Sequence, residues 1–140
     1  MVNNNKKTKI LLIEDDVFLS NIYSKKFESE GFEMLIALDG EKGLKLALSK
    51  EPALILLDLL LPGLNGFEVL KVLKKDEMAK KIPVILLTNL SQKEDIEKGL
   101  ALGADDYLIK THFMPSEIVE KVKKFLSKTS FKSEILSTKL

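Results

Sequence analysis

The chain has 140 residues, 45% hydrophobic and 31% charged, a balance that suits one globular domain and lies outside the disordered range. Lysine plus arginine (22) nearly matches aspartate plus glutamate (21), and a formal net charge of +1 gives no basic footprint for nucleic acid. With no cysteine, thiol catalysis, thiolate-bound zinc and a disulfide framework are all excluded.

Residues 1–7 are polar, without the apolar core of a signal peptide, and are read as a flexible segment before a domain at 8–128. The first apolar run, Lys9 to Ile13, ends in Glu14-Asp15-Asp16. Leu19, Ile22, Tyr23 and Phe27 then follow at helical spacing. The second run is Met34 to Ala37, and the helix after it contains Gly43, a residue that costs about 1 kcal/mol relative to alanine. The third run, Leu54 to Leu57, stops at Asp58. Leu59 to Leu61 continue it, but the whole is too short and too interrupted to span a bilayer, so a cytoplasmic protein is expected.

Asn65-Gly66 opens the third helix, with Phe67, Leu70 and Leu73 or Lys74 on one stripe. The fourth run, Val84 to Leu87, ends at Thr88. Ser91-Gln92-Lys93-Glu94 has the spacing of a capping box and predicts a helix from Ser91, with Ile96 and Leu100 on its stripe. Gly103 sits where a left-handed cap is needed. The fifth run, Tyr107 to Ile109, ends at Lys110, and Pro115 suits the first turn of a helix whose stripe is Ile118, Val122 and Leu126. Residues 129–140 are read as a tail or an extension of that helix.

Strand alternating with helix in this way predicts an α/β fold, a parallel sheet wrapped on both sides by helices. The nearly continuous apolar runs fit strands covered on both faces. Ligands in such sheets bind beyond the carboxyl ends of the strands. Glu14, Asp15, Asp16 and Asp58 converge there with Thr88 and Lys110. Like charges about 4 Å apart repel by roughly 4 kcal/mol at an effective dielectric near 20, so cations must offset them. Lys110 offsets part and a divalent ion the rest. Magnesium is favoured, since it takes one or two carboxylates, keeps waters and accepts phosphate oxygens. Asp58 is then a nucleophile for phosphoryl transfer, with Thr88 and Lys110 hydrogen-bonding the added oxygens.

Four segments carry a family resemblance: Ile10 to Asp16, Leu56 to Phe67, Val84 to Thr88 and Gly103 to Lys110. In this order they resemble the response-regulator receiver domains of two-component signalling (CheY-like), over roughly residues 8–127. The resemblance implies a flavodoxin-like doubly wound (βα)5 sandwich with sheet order 2-1-3-4-5. It implies Asp58 as phosphoacceptor from a histidine kinase or histidine phosphotransfer protein. Mg2+ is implied on Asp15, Asp58 and the Leu60 backbone carbonyl, and through water on Glu14. Thr88 and Tyr107 are implied as switch residues. The implied readout face is the fourth helix, fifth strand and fifth helix, expected to engage a downstream protein or a second copy of the chain; neither nucleic acid nor membrane is expected as a direct partner.

Two departures stand out. Receivers usually place proline after the lysine, with a cis bond; here Thr111 follows Lys110. A cis bond costs about 2.5–4 kcal/mol before a non-proline residue, against about 0.5–1 before proline, so either strain is borne or the loop is trans. The positions two beyond Asp58 and two beyond Thr88 hold Leu60 and Leu90, which cannot orient an attacking water. Slow loss of the phosphoryl group is expected. Two other readings are weighed. A phosphatase or mutase forming an aspartyl phosphate generally carries a second aspartate where Leu60 stands. A phosphorylation-independent module typically lacks the acceptor or an acidic partner, and both are present.

Plainer roles exist for single residues. The acidic run at 14–16 suits a helix N-terminus, Tyr107 could be core packing, His112 a loop residue, and Lys121, Lys123 and Lys124 a solvated helix face.

Overall fold

The three least interrupted apolar runs form the centre of the sheet. In the computed structural model, which describes residues 6–138 and side chains through residue 128, five parallel strands run β2-β1-β3-β4-β5. They are β1 (Lys9–Ile13), β2 (Glu33–Ala37), β3 (Leu54–Leu57), β4 (Val84–Thr88) and β5 (Asp106–Ile109). β3 and β4 are buried at every residue because helices cover both faces. β2 and β5 form the two edges and are mostly half-buried or exposed, with only Ala37 and Leu108 fully buried.

Five helices complete the doubly wound sandwich: α1 (Val17–Ser29), α2 (Gly40–Lys50), α3 (Gly66–Lys75), α4 (Lys93–Ala101) and α5 (Pro115–Thr138). Strand alternation divides the core in two. Ile10, Leu12, Leu54, Leu56, Ile85 and Leu87 face Tyr23 and Phe27 of α1 and Ile118, Val119 and Val122 of α5. Leu11, Ile13, Ile55, Leu57 and Leu86 face Ala47 of α2 and Val69, Leu70 and Leu73 of α3. Each large aliphatic side chain so buried contributes about 1.5–3 kcal/mol. On α1, Leu19 and Ile22 are only half-buried, and Ser20 and Ser24 share the inward face with Tyr23 and Phe27.

The boundary chemistry largely follows the sequence. Asn65 caps α3, its Oδ1 accepting from the Glu68 N–H at 3.1 Å. Gly103, at φ +107°, takes the left-handed position after α4. The helix-weakening Gly43 has a packing reason: a Cβ there would lie 2.4 Å from Ile13 Cδ1, so only glycine lets α2 lie this close to β1.

Two expectations are corrected at α4. The helix begins at Lys93, with Gln92 as its N-cap and no side-chain cap bond, so the Ser91 capping box does not form. The preceding loop is held instead. The Leu90 N–H donates to Thr88 Oγ1 at 3.4 Å, and the Leu90 carbonyl accepts from the Tyr107 hydroxyl at 2.7 Å, which keeps Ser91 out of the helix. Leu100 is 46% exposed rather than inward. Gly99 takes the inward position, where a Cβ would lie 2.5 Å from Leu86 Cδ1, and Ile96 beside it is half-buried.

The Lys110–Thr111 bond is trans, and no cis bond occurs among the described residues. The chain leaves β5 in a 3₁₀ turn over Lys110–His112 before α5. Residues 1–5, most of the segment read as flexible, lie outside the described residues, as do 139–140. No helix among the described residues is long and apolar enough to cross a membrane.

Candidate functional site

The carboxyl ends of β1, β3 and β5 meet in one acidic cleft. Glu14 follows β1 and is 1% exposed; Asp58 follows β3 and is 3% exposed. Register forces the proximity, because Ile13 pairs with Leu57 and the Asp58 N–H donates to the Ile13 carbonyl at 3.0 Å. Asp15 is exposed beside them, and one oxygen from each of Glu14, Asp15 and Asp58 lies within 4.8 Å of the others. Asp16 turns the other way: its Oδ1 accepts from the Leu19 N–H at 3.1 Å and caps α1.

Lys110 closes the cleft from β5. Its ammonium donates to Asp58 Oδ2 at 2.7 Å and to Glu14 Oε1. Three charged groups, Glu14, Asp58 and Lys110, are thereby buried as one ion-paired set, the condition under which burial is tolerated. Burial pushes the Glu14 carboxyl up, against the opposing pull of Lys110 and the Asp16 N–H. Burial also works against the Lys110 charge, but hydrogen bonds to Asp58 and Glu14 outweigh it and the net direction is up.

The Asp58 side chain is held from its own loop as well. Its Oδ1 accepts from the Leu60 N–H at 3.0 Å, while Leu60 itself is 53% exposed. Gly66 fixes the backbone beneath: a Cβ there would lie 2.3 Å from the Asp58 carbonyl oxygen and 2.5 Å from Leu59 Cα. Both constraints escape a reading of sequence. Asn-Gly signals the start of a helix but not the approach of another segment, and a leucine N–H leaves no mark in composition.

Thr88 ends β4 with no exposure, level with Ile109 across β5. The half-buried Tyr107 and Leu90 meet through the hydrogen bond described above. Glu14, Asp15, Asp58 and Lys110 are therefore brought together directly. Thr88, Tyr107 and Leu90 form an adjoining group on the α4 side, and Leu60 joins the site through its backbone N–H to Asp58. His112 is exposed in the turn after Lys110, near Phe113.

Residues 10–123 match the response regulator receiver domain family. The chain belongs to this family. The receiver is 42% identical over 121 residues to the DNA-binding dual master transcriptional regulator RpaA of Synechocystis, covering 86% of this chain and 50% of that protein. It is 37% identical over 117 residues to the DNA-binding response regulator MtrA of Mycobacterium tuberculosis, covering 84% and 50%. The chain thus spans about half the length of the curated relatives it matches.

Among solved structures, the receiver domain of Francisella response regulator 1452 superposes with a TM-score of 0.80 at 32% identity, covering 88% of this chain and 99% of that one. A CheY-like receiver domain protein from Methanospirillum hungatei gives 0.83 at 28% identity, covering 91% and 99%. The flavodoxin-like order is the one observed. As a receiver, the chain is a signalling domain of the two-component kind.

Proposed function

We propose that Asp58 accepts a phosphoryl group from a histidine kinase or a histidine phosphotransfer protein, and that Thr88 and Tyr107 relay the change to the face of α4, β5 and α5. The observation that carries this reading is the cluster of Glu14, Asp15 and Asp58 with the Lys110 ammonium 2.7 Å from Asp58 Oδ2.

Three carboxylates against one ammonium leave two formal negative charges, and an all-oxygen donor set of this kind fits Mg2+. Asp15, Asp58 and the Leu60 carbonyl would hold the ion, and Glu14 would hold it through water. When bound, it supplies positive charge for carboxylate and phosphoryl oxygens. In the transfer, an Asp58 oxygen forms the new bond to phosphorus as the phosphorus–nitrogen bond to the donor imidazole breaks, and the leaving imidazole takes up a proton. Lys110 and Thr88 donate to the phosphoryl oxygens. Leu60 and Leu90 flank them and give an attacking water no base, so the phosphorylated form is long-lived. The setting is cytoplasmic, and the switched face takes a downstream protein or a second copy of the chain. No DNA contact is assigned to these residues, whatever the longer relatives bind.

The test is incubation with acetyl phosphate and Mg2+ followed by intact mass. One added phosphate, absent in Asp58→Asn, is the expected result. Release of inorganic phosphate over many turnovers would point to an enzyme, and an unmodified protein to a phosphorylation-independent module. Solution mass with and without beryllofluoride separates self-pairing from a different partner.

A further inference from the structure

We propose that Phe113 is a positioning residue: it anchors the 3₁₀ turn that carries Lys110 and so sets where the ammonium sits against Asp58. The inference rests on the phosphoacceptor reading above.

Lys110 is held on the strand side by the sheet, since Ile109 pairs with Thr88. Beyond it the chain has little else to hold it. Thr111 and His112 are both exposed, and the Met114 side chain is 66% exposed. No proline stiffens this path. What fixes the far side is Phe113. Its N–H closes the turn by donating to the Lys110 carbonyl at 3.3 Å. Its half-buried ring packs on the core that includes Tyr23, Leu108 and Ile118. The Lys121 ammonium stands 4.9 Å over that ring.

α5 then starts immediately, with the Met114 N–H donating to Glu117 Oε1 at 2.8 Å. The Lys110 backbone is therefore suspended between one sheet pairing and one aromatic anchor. A lysine stem carries about 2 kcal/mol of rotamer entropy, so holding its ammonium on two carboxylates requires a well-placed backbone. Loss of the ring frees the turn, and the ammonium is the group that moves. Displacement by about 1 Å can cost on the order of a hundredfold in rate without contact to the reacting atoms.

The experiment compares wild type, Phe113→Ala and Phe113→Leu, each first shown folded by circular dichroism. Lysines are acylated with a water-soluble active ester and mapped by peptide mass, and phosphorylation by acetyl phosphate is measured across donor concentration. Lys110, with its side chain 8% exposed, is expected to resist acylation in wild type and Phe113→Leu and to become labelled in Phe113→Ala. The maximal phosphorylation rate of Phe113→Ala is expected to fall ten- to a hundredfold, with half-saturating donor little changed and recovery in Phe113→Leu. A folded Phe113→Ala protein in which Lys110 stays protected would overturn the proposal, as would labelling of Lys110 in wild type. If Phe113→Ala does not fold, Phe113→Val, a milder truncation of the ring, and Lys121→Ala decide. Labelling of Lys110 at an intermediate level in either supports the anchor, and wild-type protection in both overturns it. Absence of phosphorylation in wild type sinks the phosphoacceptor reading alone, because the acylation pattern still reports the position of Lys110.

Discussion

The Tyr107 hydroxyl donates a 2.7 Å hydrogen bond to the Leu90 carbonyl, joining edge strand β5 to the loop between β4 and α4. The Leu90 N–H in turn donates to Thr88 Oγ1. A continuous set of contacts therefore runs from the buried end of β4 to the face proposed for readout.

Replacing Tyr107 by phenylalanine removes that bond and is expected to cost about 0.5–1.5 kcal/mol in chemical denaturation. The phenol also reports its surroundings. Burial, with the charges of Asp95 and Asp58, pushes it up to about 12 from an ordinary 10.0. Burial likewise raises Tyr23, the other tyrosine. A folded value above the unfolded one means the stabilising contribution is complete below 10.0 and is lost as pH rises through about 12. Phenolate absorbance should show no native step at the ordinary value and one ionising group fewer in Tyr107→Phe.

Lys110 and the divalent ion compete for the same carboxylates. In Lys110→Ala, Mg2+ binding measured by calorimetry is expected to tighten by roughly ten- to a hundredfold, a discounted share of the ~4 kcal/mol between unit charges 4 Å apart at a dielectric near 20. Without Mg2+ the variant should lose about 3–5 kcal/mol of stability, the scale of a broken buried pair. Phosphorylation should slow despite tighter metal binding. Unchanged Mg2+ affinity would show that the ammonium does not oppose the ion.

Leu60 and Leu90 offer no proton acceptor at the proposed phosphoryl site. Substitution of both by polar residues, Leu60→Asn with Leu90→Glu, is expected to speed loss of the phosphoryl group by up to roughly a hundredfold, the low end of what a positioned acid–base group contributes. The half-life of the phosphorylated form, followed by intact mass, is the measurement. An unaltered half-life removes these positions from the account.

Asp105 is expected to matter for stability and not for phosphorylation. Its Oδ2 accepts from the Val84 N–H at 2.9 Å, and Lys74 Nζ lies 3.9 Å away. Asp105→Ala takes this acceptor from a buried amide, at a cost of about 1–3 kcal/mol in denaturant unfolding, whereas Asp105→Asn keeps an oxygen in place. Because Val84 begins β4 and Thr88 ends it, the phosphorylation rate should match wild type in both variants.

Much of this architecture can be read along the chain. The alternation of apolar runs with helical stripes specifies five strands and five helices, and the least interrupted runs, β1, β3 and β4, mark the strands inside the sheet. Glu14, Asp15, Asp58, Thr88 and Lys110 can be singled out because each stands at or just beyond the end of an apolar run, and the topology of a parallel sheet sends those ends to one rim. Periodicity is a local property, and it survives transfer from sequence to structure because burial enforces it.

What only the tertiary structure decided depends on segments distant in sequence. The start of α4 is one case: Ser91 has the right spacing for a cap, but the Tyr107–Leu90 bond from another strand holds the loop and moves the helix start to Lys93. Gly66 and Gly43 read as a helix opener and a weak point, yet each is set by what presses on it, the Asp58 carbonyl and Ile13. The pairing of Lys110 with both Glu14 and Asp58, and the trans turn anchored by Phe113 that delivers it, likewise required coordinates. Sequence order fixes which groups reach the rim. The distances among them follow from backbone packing that no local pattern encodes.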